Sequence, residues 1–341
     1  MIVDSATRHF TAAAIRAALP YPPLIDRVGM VVRNDVVAPQ RLRANGETGV
    51  ELLAMPAVGQ CYAGLKLLTV VQANAAKGLP VIGGSYILFS TEDGRALATM
   101  DVGELTGRRT AAVSAFASRQ LSRRESSSLL LCGSGHMIPY LAEAHAAVRP
   151  IKRISVWARD LAKGKDAAER VQLCVPDIDV EVVSDLDQAV GCNDIISAAT
   201  SAIEPIIRGT CLRPGTHIDL IGSYRPDMRE LDDAGVQAAR IFVDNVDTAL
   251  CEAGDLIMPI NKGVIGPEAI KGDMKALASG VARCTPEEIT LFKAVGSAVA
   301  DLAAASLVWE SLGDQRGADR RNGPSDPETR HLSLGGQQAA I

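Results

Sequence analysis

Hydrophobic positions between residues 127 and 159 alternate between short continuous runs and a helically spaced stretch. Leu129 to Cys132 form an apolar run, Gly133-Ser134-Gly135 interrupt it, and apolar residues from Met137 to Val148 then recur with helical spacing. A second apolar run follows at Ile154 to Trp157. The order strand, glycine turn, helix, strand predicts a βαβ unit.

The alternation of strands and helices continues after this unit. The predicted later strands are Ile178 to Val183, Asp194 to Ala199, His217 to Gly222 and Ile241 to Asp244. This pattern predicts an α/β fold with a doubly wound sheet, whose ligand crevice lies at the carboxyl ends of the strands. The turns at Ala199-Thr200 and Gly222 to Tyr224 are therefore expected beside Gly133 to His136, the alternative being turns that only reverse the chain.

Residues 1 to about 118 have the pattern of a mixed domain. A helix and loop are predicted over Ile15 to Met30, and strands over Val50 to Met55 and Leu65 to Val71. Asp93-Gly94 lies between two further apolar runs, Tyr86 to Ser90 and Ala96 to Val102, and Asp-Gly at such a place predicts a hairpin.

An alanine-rich helix is predicted over Thr106 to Leu121, with Arg108 and Arg109 in its first turn. The helix dipole is already positive at that end. Two arginines there are explained either by an anion that binds among them, such as a substrate carboxylate or a cofactor phosphate, or by side chains that simply reach solvent.

The last predicted helix begins at a capping box with proline at its first position. Thr285-Pro286-Glu287-Glu288 form the box, and the helical pattern runs to about Leu312 and stops at Gly313. This helix can return to the first domain. Residues 314–341 are polar and rich in glycine, proline and charge, which predicts disorder.

Composition narrows the classes of protein. The chain has 341 residues, 47% of them hydrophobic and 22% charged, and a net charge of −5, which indicates a globular protein of about two domains. No basic block outside the tail favours nucleic acid, and the first residues resemble neither a signal peptide nor a membrane anchor, so we expect a cytoplasmic protein. The seven cysteines and five histidines are scattered, so neither a metal site nor a nucleophilic cysteine is expected.

The glycine turn has the features of a dinucleotide site. Gly133 is placed to make the tight turn, Gly135 to let backbone approach a pyrophosphate, and the following helix to offer free N–H groups to the phosphates. Ile138 stands where the full motif has a third glycine or alanine. The alternative is an ordinary structural turn.

Arg159 bears on the choice between nicotinamide cofactors. It ends the second strand of the unit, where sites that prefer NAD place an acidic residue for the ribose hydroxyls. A guanidinium can instead bind a 2′-phosphate with two hydrogen bonds. We therefore expect NADPH rather than NADH, the alternative being a solvated arginine with Asp160 bonding the ribose.

Seven separated blocks carry a resemblance to a known family. The blocks are Arg41 with LLAMPA at 52–57, GLKLLTV at 64–70, GRRTAAVSA at 107–115, the glycine turn, IEPIIRG at 203–209, RPGTHIDLIGSYRPDMRELDD at 213–233 and TLFKAVGSAVAD at 290–301. From about residue 20 to 312 the chain resembles ornithine cyclodeaminase/mu-crystallin proteins, and most of all the branch of ketimine reductases and Δ1-pyrroline-2-carboxylate reductases.

The resemblance implies a Rossmann domain inserted into a smaller α/β domain for dimerisation and substrate binding. The smaller domain is expected to comprise residues 1–118 and 297–313, and the Rossmann domain residues 119–296. Subunits of the family pair through the smaller domain, so a homodimer is expected.

The same resemblance implies that Arg41, Met55, Lys66 and Arg109 bind the substrate and that Lys66 and Arg109 also act in catalysis. Tyr224 is a further catalytic candidate, as a rival proton donor to Lys66. The residues expected at the cofactor, from the glycine turn, the strand ends and the resemblance together, are Thr110, Gly133, Ser134, Gly135, His136, Met137, Ala158, Arg159, Ala199, Thr200, Ile221, Gly222, Ser223 and Lys293.

Tyr224 departs from the cyclodeaminase pattern, in which the matching position is an aspartate that acts as acid and base. Loss of ammonia and ring closure need that base, whereas reduction of a preformed cyclic imine does not. The expected activity is therefore the NADPH-dependent reduction of Δ1-pyrroline-2-carboxylate to L-proline and of Δ1-piperideine-2-carboxylate to L-pipecolate. The alternatives are an ornithine cyclodeaminase, an alanine-type amino-acid dehydrogenase and a binding protein without turnover.

Overall fold

The computed structural model of the protein describes residues 7–313. The first elements are β1 (Arg8–Phe10), α1 (Ala12–Ala18), α2 (Tyr21–Arg33), β2 (Leu42–Asn45), β3 (Val50–Val58), β4 (Tyr62–Val71), β5 (Ile82–Ser90), β6 (Ala96–Asp101) and α3 (Val102–Leu121). These strands form one sheet in the order β1-β6-β5-β4-β3-β2, antiparallel except for the β1/β6 pair. The predicted strands and hairpin of this region are confirmed.

Helix α3 begins one turn earlier than the sequence pattern predicts. The Asp101 side chain accepts a hydrogen bond from the Glu104 backbone N–H at 2.9 Å and so caps the helix immediately after β6. Arg108 and Arg109 therefore lie in the second turn, and the prediction that they occupy the first turn was wrong. Their partners are protein groups: Arg108 donates to the Leu19 carbonyl and Arg109 pairs with Asp301.

The second part of the chain builds a parallel sheet flanked by helices. Its elements are β7 (Ser128–Cys132), α4 (Met137–Ala146), β8 (Arg153–Trp157), α5 (Leu161–Cys174), β9 (Asp179–Val182), α6 (Leu186–Cys192), β10 (Ile195–Ala198), β11 (His217–Leu220), α7 (Asp233–Ala238), β12 (Ala239–Val243), α8 (Val246–Glu252), α9 (Gly254–Asn261), α10 (Met274–Ala278), β13 (Ile289–Lys293) and α11 (Ala298–Leu312).

The strand order of this sheet is β12-β13-β11-β10-β7-β8-β9, with every pair parallel. The direction of winding reverses between β7 and β10, and open α/β sheets bind ligands at that point. Apolar core covers both faces of the sheet, as parallel sheets require. The predicted Rossmann-type α/β fold is confirmed.

The segment after Thr285 is a strand rather than the start of a long helix. Thr285 Oγ1 does accept a hydrogen bond from the Glu288 N–H at 3.2 Å, but Ile289–Lys293 then insert as β13 between β11 and β12. The run Ile-Thr-Leu-Phe is rich in β-branched and aromatic residues and is almost wholly buried, so sheet pairing prevails over the local cap.

Helix α11 starts only at Ala298, where the Ser297 side chain caps it. It packs against α2, α3 and the inner face of the first sheet, so the expected return to the first domain is confirmed. Residues 314–341, predicted to be disordered, lie outside the described residues. Within residues 7–313 no helix has the length and apolarity needed to cross a membrane.

Candidate active site

A cleft of about 890 Å³ opens where the carboxyl ends of the parallel strands face the first sheet. One wall carries the glycine turn and the loops after β8, β10 and β11. The other wall carries Met55 of β3, Lys66 of β4 and Arg109 of α3. The cleft therefore joins the nucleotide end of the second sheet to a group of cations on the first.

The glycine turn has the geometry that a pyrophosphate site needs. Gly133 has φ +135°, and a Cβ there would lie 2.8 Å from the Ala199 carbonyl oxygen. A Cβ on Gly135 would meet open space, which leaves the backbone accessible. No side chain caps the N-terminus of α4, so its N–H groups face the cleft. These residues fit a dinucleotide, with buried Ile138 packing against Gly133 in place of the third glycine.

Arg170 of α5 supports this turn from behind. Its Nη2 donates to the Ser134 carbonyl at 2.8 Å and its Nη1 to the Gly135 carbonyl at 3.4 Å. The two carbonyls are thereby fixed toward α5, which leaves the opposite side of the turn for a ligand. Nothing in the local sequence marks Arg170, since it lies 35 residues further along the chain from Gly135.

At the end of β8, Arg159 is exposed on the cleft wall and has no hydrogen bond or ion pair with residues 7–313. The neighbouring Asp160 carboxylate accepts from the N–H groups of Ala162 and Lys163 at 2.9 and 3.2 Å, so it caps α5. The Lys163 side chain adds a second cation to this wall. The end of β8 therefore presents two positive charges, and its carboxylate is committed to the helix.

Glu230 joins two loops of the cofactor wall. Its Oε1 accepts from the Thr200 N–H at 2.7 Å and from the Thr200 hydroxyl at 2.8 Å, and its Oε2 accepts from the Gly222 N–H at 3.0 Å. A Cβ on Gly222 would lie 2.2 Å from the Thr200 backbone, so only glycine allows this approach. The turns after β10 and β11 are thus held against each other by one buried carboxylate.

On the opposite wall, Lys66 and Arg109 share one oxygen of Asp301. Lys66 Nζ lies 3.2 Å and Arg109 Nε 2.7 Å from Asp301 Oδ1, and all three side chains are at most 7% exposed. Strand β4 places Lys66 on its inner face, opposite Met55 of β3, while Asp301 comes from the first turn of α11. A buried charge needs a partner, and Asp301 supplies it for both cations.

The surroundings of Lys66 shift its titration. Burial lowers the pKa of Lys66 to about 7; the Arg109 guanidinium acts in the same direction, and the Asp301 carboxylate opposes both. An ammonium group whose pKa lies near neutrality can give up a proton and regain it, as a general acid must.

Arg41 completes the cationic end of the cleft. Its Nη2 donates to the Val295 carbonyl at 2.9 Å, and its Nε lies 3.1 Å from Glu252 Oε1. A Cβ on Gly296 would be 3.7 Å from the Nη2 atoms of both Arg41 and Arg109, so the two guanidiniums converge at this glycine. Burial lowers the pKa of Arg41, which Glu252 opposes.

The cleft brings together nearly all of the residues predicted from the sequence. Ser223 and Lys293 are the two that do not line it: both are fully buried, and Lys293 Nζ donates to Ser223 Oγ at 2.8 Å and lies 3.2 Å from Asp255 Oδ2. The residues that line it are Arg41, Met55, Lys66, Arg109, Thr110, Gly133, Ser134, Gly135, His136, Met137, Ala158, Arg159, Ala199, Thr200, Ile221, Gly222 and Tyr224.

Sequence reasoning missed the carboxylates behind the site. Glu230 and Asp301 fall inside quoted blocks of the resemblance, and the signal that could have found them is an acidic residue within an otherwise apolar pattern. Asp244, which accepts from the N–H groups of Val295 and Gly296 at 3.0 and 2.8 Å, is the last residue of a predicted strand. All three carboxylates bind backbone N–H groups or cations of the site instead of pointing into solvent.

Known proteins match the chain over most of its length. The model of the ornithine cyclodeaminase/mu-crystallin family matches residues 33–316. Delta(1)-pyrroline-2-carboxylate reductase of Paracoccus denitrificans is 42% identical over 254 residues, which is 72% of this chain and 78% of that protein. Ketimine reductase mu-crystallin of Rattus norvegicus is 35% identical over 246 residues, 72% of this chain and 75% of that protein.

A solved structure is also similar: Thermococcus litoralis Delta(1)-pyrroline-2-carboxylate reductase in complex with NADH and L-proline. It superposes with a TM-score of 0.86 at 28% identity, covering 91% of this chain and 98% of that one. Fold, site and relatives together define an oxidoreductase that uses a nicotinamide dinucleotide. More particularly, the chain belongs to the ornithine cyclodeaminase/mu-crystallin family.

Proposed function

We propose that the protein reduces cyclic α-imino acids with NADPH, converting Δ1-pyrroline-2-carboxylate to L-proline and Δ1-piperideine-2-carboxylate to L-pipecolate. The observation that carries the proposal is the convergence of Arg41, Lys66 and Arg109 at one end of a cleft whose other wall is a dinucleotide site. The reductases among the relatives support the same reaction class.

The substrate carboxylate is the anion that this cationic end fits. The Nη atoms of Arg109 donate no hydrogen bond to residues 7–313, and its ion pair with Asp301 is made at Nε. A planar guanidinium with both terminal nitrogens available can hold a carboxylate through two hydrogen bonds, and Arg41 adds a second positive charge beside it. Met55 and Val113 supply apolar wall for the ring carbons.

Lys66 is the group that we assign to proton transfer. When bound, the nicotinamide supplies a hydride to the imine carbon. The Lys66 ammonium gives one proton to the ring nitrogen, so that one hydride and one proton convert C=N to CH–NH and Lys66 is left as a neutral amine. With its pKa near 7, Lys66 can take its proton back from solvent.

The preference for NADPH rests on Arg159, with Lys163 beside it. Both cations line the cleft, and the one carboxylate next to them, Asp160, is committed to the cap of α5. A 2′-phosphate would meet two positive charges there, whereas a 2′-hydroxyl would find no free acidic acceptor on Asp160.

A cyclodeaminase is the weaker candidate because the carboxylates of the cleft are already committed. Asp244 accepts three backbone N–H groups, Glu51 pairs with Arg43 at 2.8 Å, and Asp160 caps α5. Tyr224 occupies the cleft wall with 39% of its surface exposed. Within residues 7–313, this leaves no uncommitted carboxylate in the cleft to act as acid and base.

The assay that tests the proposal follows cofactor absorbance with each imino acid and each of NADPH and NADH. Ornithine with NAD, and alanine with NAD, are run beside it. Reduction of at least one cyclic imino acid, with no proline or ammonia from ornithine, is expected. Binding of the dinucleotide without turnover of any imino acid would favour a binding protein instead.

The cofactor preference has its own variant, Arg159→Asp. Charge-assisted hydrogen bonds contribute about 1.5 to 3 kcal/mol, or roughly ten- to a hundredfold in affinity, so the variant should lose that much affinity for NADPH and little for NADH. Dissociation constants measured by cofactor fluorescence check this. An unchanged ratio of the two constants would contradict the role given to Arg159.

The assembly that we propose is a homodimer formed through the first sheet. The face of β3, β4 and β5 that points away from the cleft presents Leu52, Leu65, Leu67 and Ile87, of which Leu52 and Leu67 are each 37% exposed, and apolar side chains grouped on a sheet face mark interfaces. Light scattering measures the mass of the assembly.

The cytoplasm is the proposed location, because all seven cysteines are unpaired and four are exposed, which suits a reducing compartment.

A further inference from the structure

Asp301 is fully buried and does not itself line the cleft. It reaches the site only through the two cations that share its Oδ1 atom, Lys66 at 3.2 Å and Arg109 at 2.7 Å. The side chain enters from α11, whereas the cations come from β4 and α3. One carboxylate oxygen thus joins three elements directly behind the reacting end of the cleft.

The charges of Lys66, Arg109 and Asp301 indicate the role of the Asp301 carboxylate. With Asp301 ionised, the trio carries one net positive charge, which a substrate carboxylate neutralises. Without it, Lys66 would face the Arg109 guanidinium alone inside a buried site and would lose its proton more easily. We propose that Asp301 is a positioning residue that keeps Lys66 protonated and directed at the cleft by sharing one carboxylate oxygen between Lys66 and Arg109.

The other titratable and charged groups around α11 cannot replace the Asp301 carboxylate as the counterion of Lys66. Tyr86 of β5 is the titratable neighbour on the sheet; burial raises the pKa of its hydroxyl, and the Asp301 charge acts in the same direction, so Tyr86 stays neutral. Arg27 of α2 is bound by Glu310 near the other end of α11. Arg41, beyond Arg109, is paired with Glu252.

The inference rests on the proposed proton transfer by Lys66, and its consequence is a particular pH dependence. Lys66 donates only when protonated, so kcat/KM of the free enzyme should fall as pH rises through the pKa of Lys66. In Asp301→Asn, Lys66 loses the attraction of the carboxylate that opposes the effect of burial on its pKa. The fall of kcat/KM should therefore move to lower pH by about one unit or more. The titration of the substrate itself is common to both proteins and cancels in the comparison.

The experiment measures the pH profile of kcat/KM for imine reduction in wild type, Asp301→Asn, Asp301→Glu and Tyr86→Phe. Asp301→Glu retains the charge and should keep the fall near its wild-type pH even if turnover drops. Tyr86→Phe is the matched control, because it alters a buried side chain beside Asp301 without changing a charge. A fall that stays at the wild-type pH in Asp301→Asn, with turnover reduced equally at all pH values, would overturn the proposal.

A second readout needs no substrate. An amine reacts with acetic anhydride only in its neutral form, so acetylation of Lys66, quantified at that residue by mass spectrometry as pH rises, reports its titration directly. Acetylation should begin at lower pH in Asp301→Asn than in wild type or Tyr86→Phe. If no imino acid is reduced but the acetylation midpoint shifts, the proposed reaction fails and the role of Asp301 holds. An acetylation midpoint equal in all the variants would contradict that role whatever the activity.

Should Asp301→Asn not fold, Arg109→Gln carries the test through acetylation. It removes the second cation and leaves Asp301 to Lys66 alone, so acetylation of Lys66 should begin at higher pH than in wild type, and an unchanged midpoint would overturn the proposal. Thermal unfolding of each variant separates a loss of structure from a shift in titration. A uniform loss of activity that follows unfolding alone would show Asp301 to be a structural residue.

Discussion

Two buried lysines of this protein form the same ion pair in different surroundings. Lys66 lies 3.2 Å from Asp301 and Lys293 lies 3.2 Å from Asp255, and all four side chains are at most 1% exposed. Lys66 borders the cleft and shares its aspartate with Arg109. Lys293 is sealed behind the cofactor loops, where Glu230 adds a second carboxylate.

The charges around each pair therefore differ in sign. Cations prevail around Lys66, and together with burial they bring its pKa to about 7. Carboxylates prevail around Lys293, and burial, reinforced by Asp255, raises the pKa of Glu230, which Lys293 opposes. The same ion pair thus lies beside the open cleft in the role that we propose for Lys66, whereas the pair of Lys293 and Asp255 holds the backbone N–H groups of Glu230 and Leu231.

The largest effect that separates the two lysines is expected from Lys66→Met. Turnover of Δ1-pyrroline-2-carboxylate should fall about 10²- to 10⁴-fold, because the proton donor is gone. Asp301 keeps Arg109 as its partner, so the unfolding temperature should change little and NADPH should bind as before. Steady-state kinetics and cofactor titration check this. Wild-type turnover in the variant would remove the contrast between the lysines.

Lys293→Met should act on stability instead. Asp255 and Glu230 would be left buried without a countercharge, at a cost of about 3 to 5 kcal/mol. The pKa of Glu230 is raised in the folded protein, so its ionisation destabilises the fold as pH rises, and the variant should recover part of its stability at lower pH. Urea unfolding at several pH values measures both effects. Normal stability with lost turnover would reverse the assignment.

Glu230→Gln should have a smaller effect. The amide oxygen still accepts a hydrogen bond from one loop, but the amide NH₂ group now faces an N–H of Thr200 or Gly222. The hydrogen bond lost there costs about 1 to 3 kcal/mol of folding free energy. Weaker NADPH binding is expected along with reduced stability. Asp227→Asn is the control, since Asp227 lies in the same segment, is exposed and, among residues 7–313, pairs only with Arg225. Equal cofactor affinity in both variants would show that Glu230 does not shape the cofactor wall.

Tyr224→Phe should have the smallest effect, about threefold or less in kcat/KM, if Lys66 is the donor. Tyr224 is exposed over 39% of its surface and its hydroxyl has no hydrogen bond within residues 7–313, so its removal unpairs no buried group. A loss as large as that of Lys66→Met would make Tyr224 the proton donor and would give Lys66 the same supporting role as Lys293.

The sequence was enough to predict the elements whose pattern is local. The βαβ unit, the hairpin and the residues of both cleft walls follow from apolar periodicity, glycine turns and a family resemblance. The prediction of a helix from the capping box at Thr285 was wrong, because the pairing of Ile289–Lys293 with β11 and β12 outweighs the local cap. Asp301 could not be linked to Lys66, because their meeting depends on how α11 packs on β4.

That packing has a consequence for the making of the protein. Lys66 and Asp301 lie 235 positions apart, and β13 of the other sheet precedes α11 in the chain. Contacts of such long sequence separation form late, and domains fold as the chain leaves the ribosome. The Lys66 side of the cleft must therefore wait, without its counterion, until the last helix of residues 7–313 has been synthesised. Until then Lys66 of the nascent chain lacks the carboxylate of Asp301.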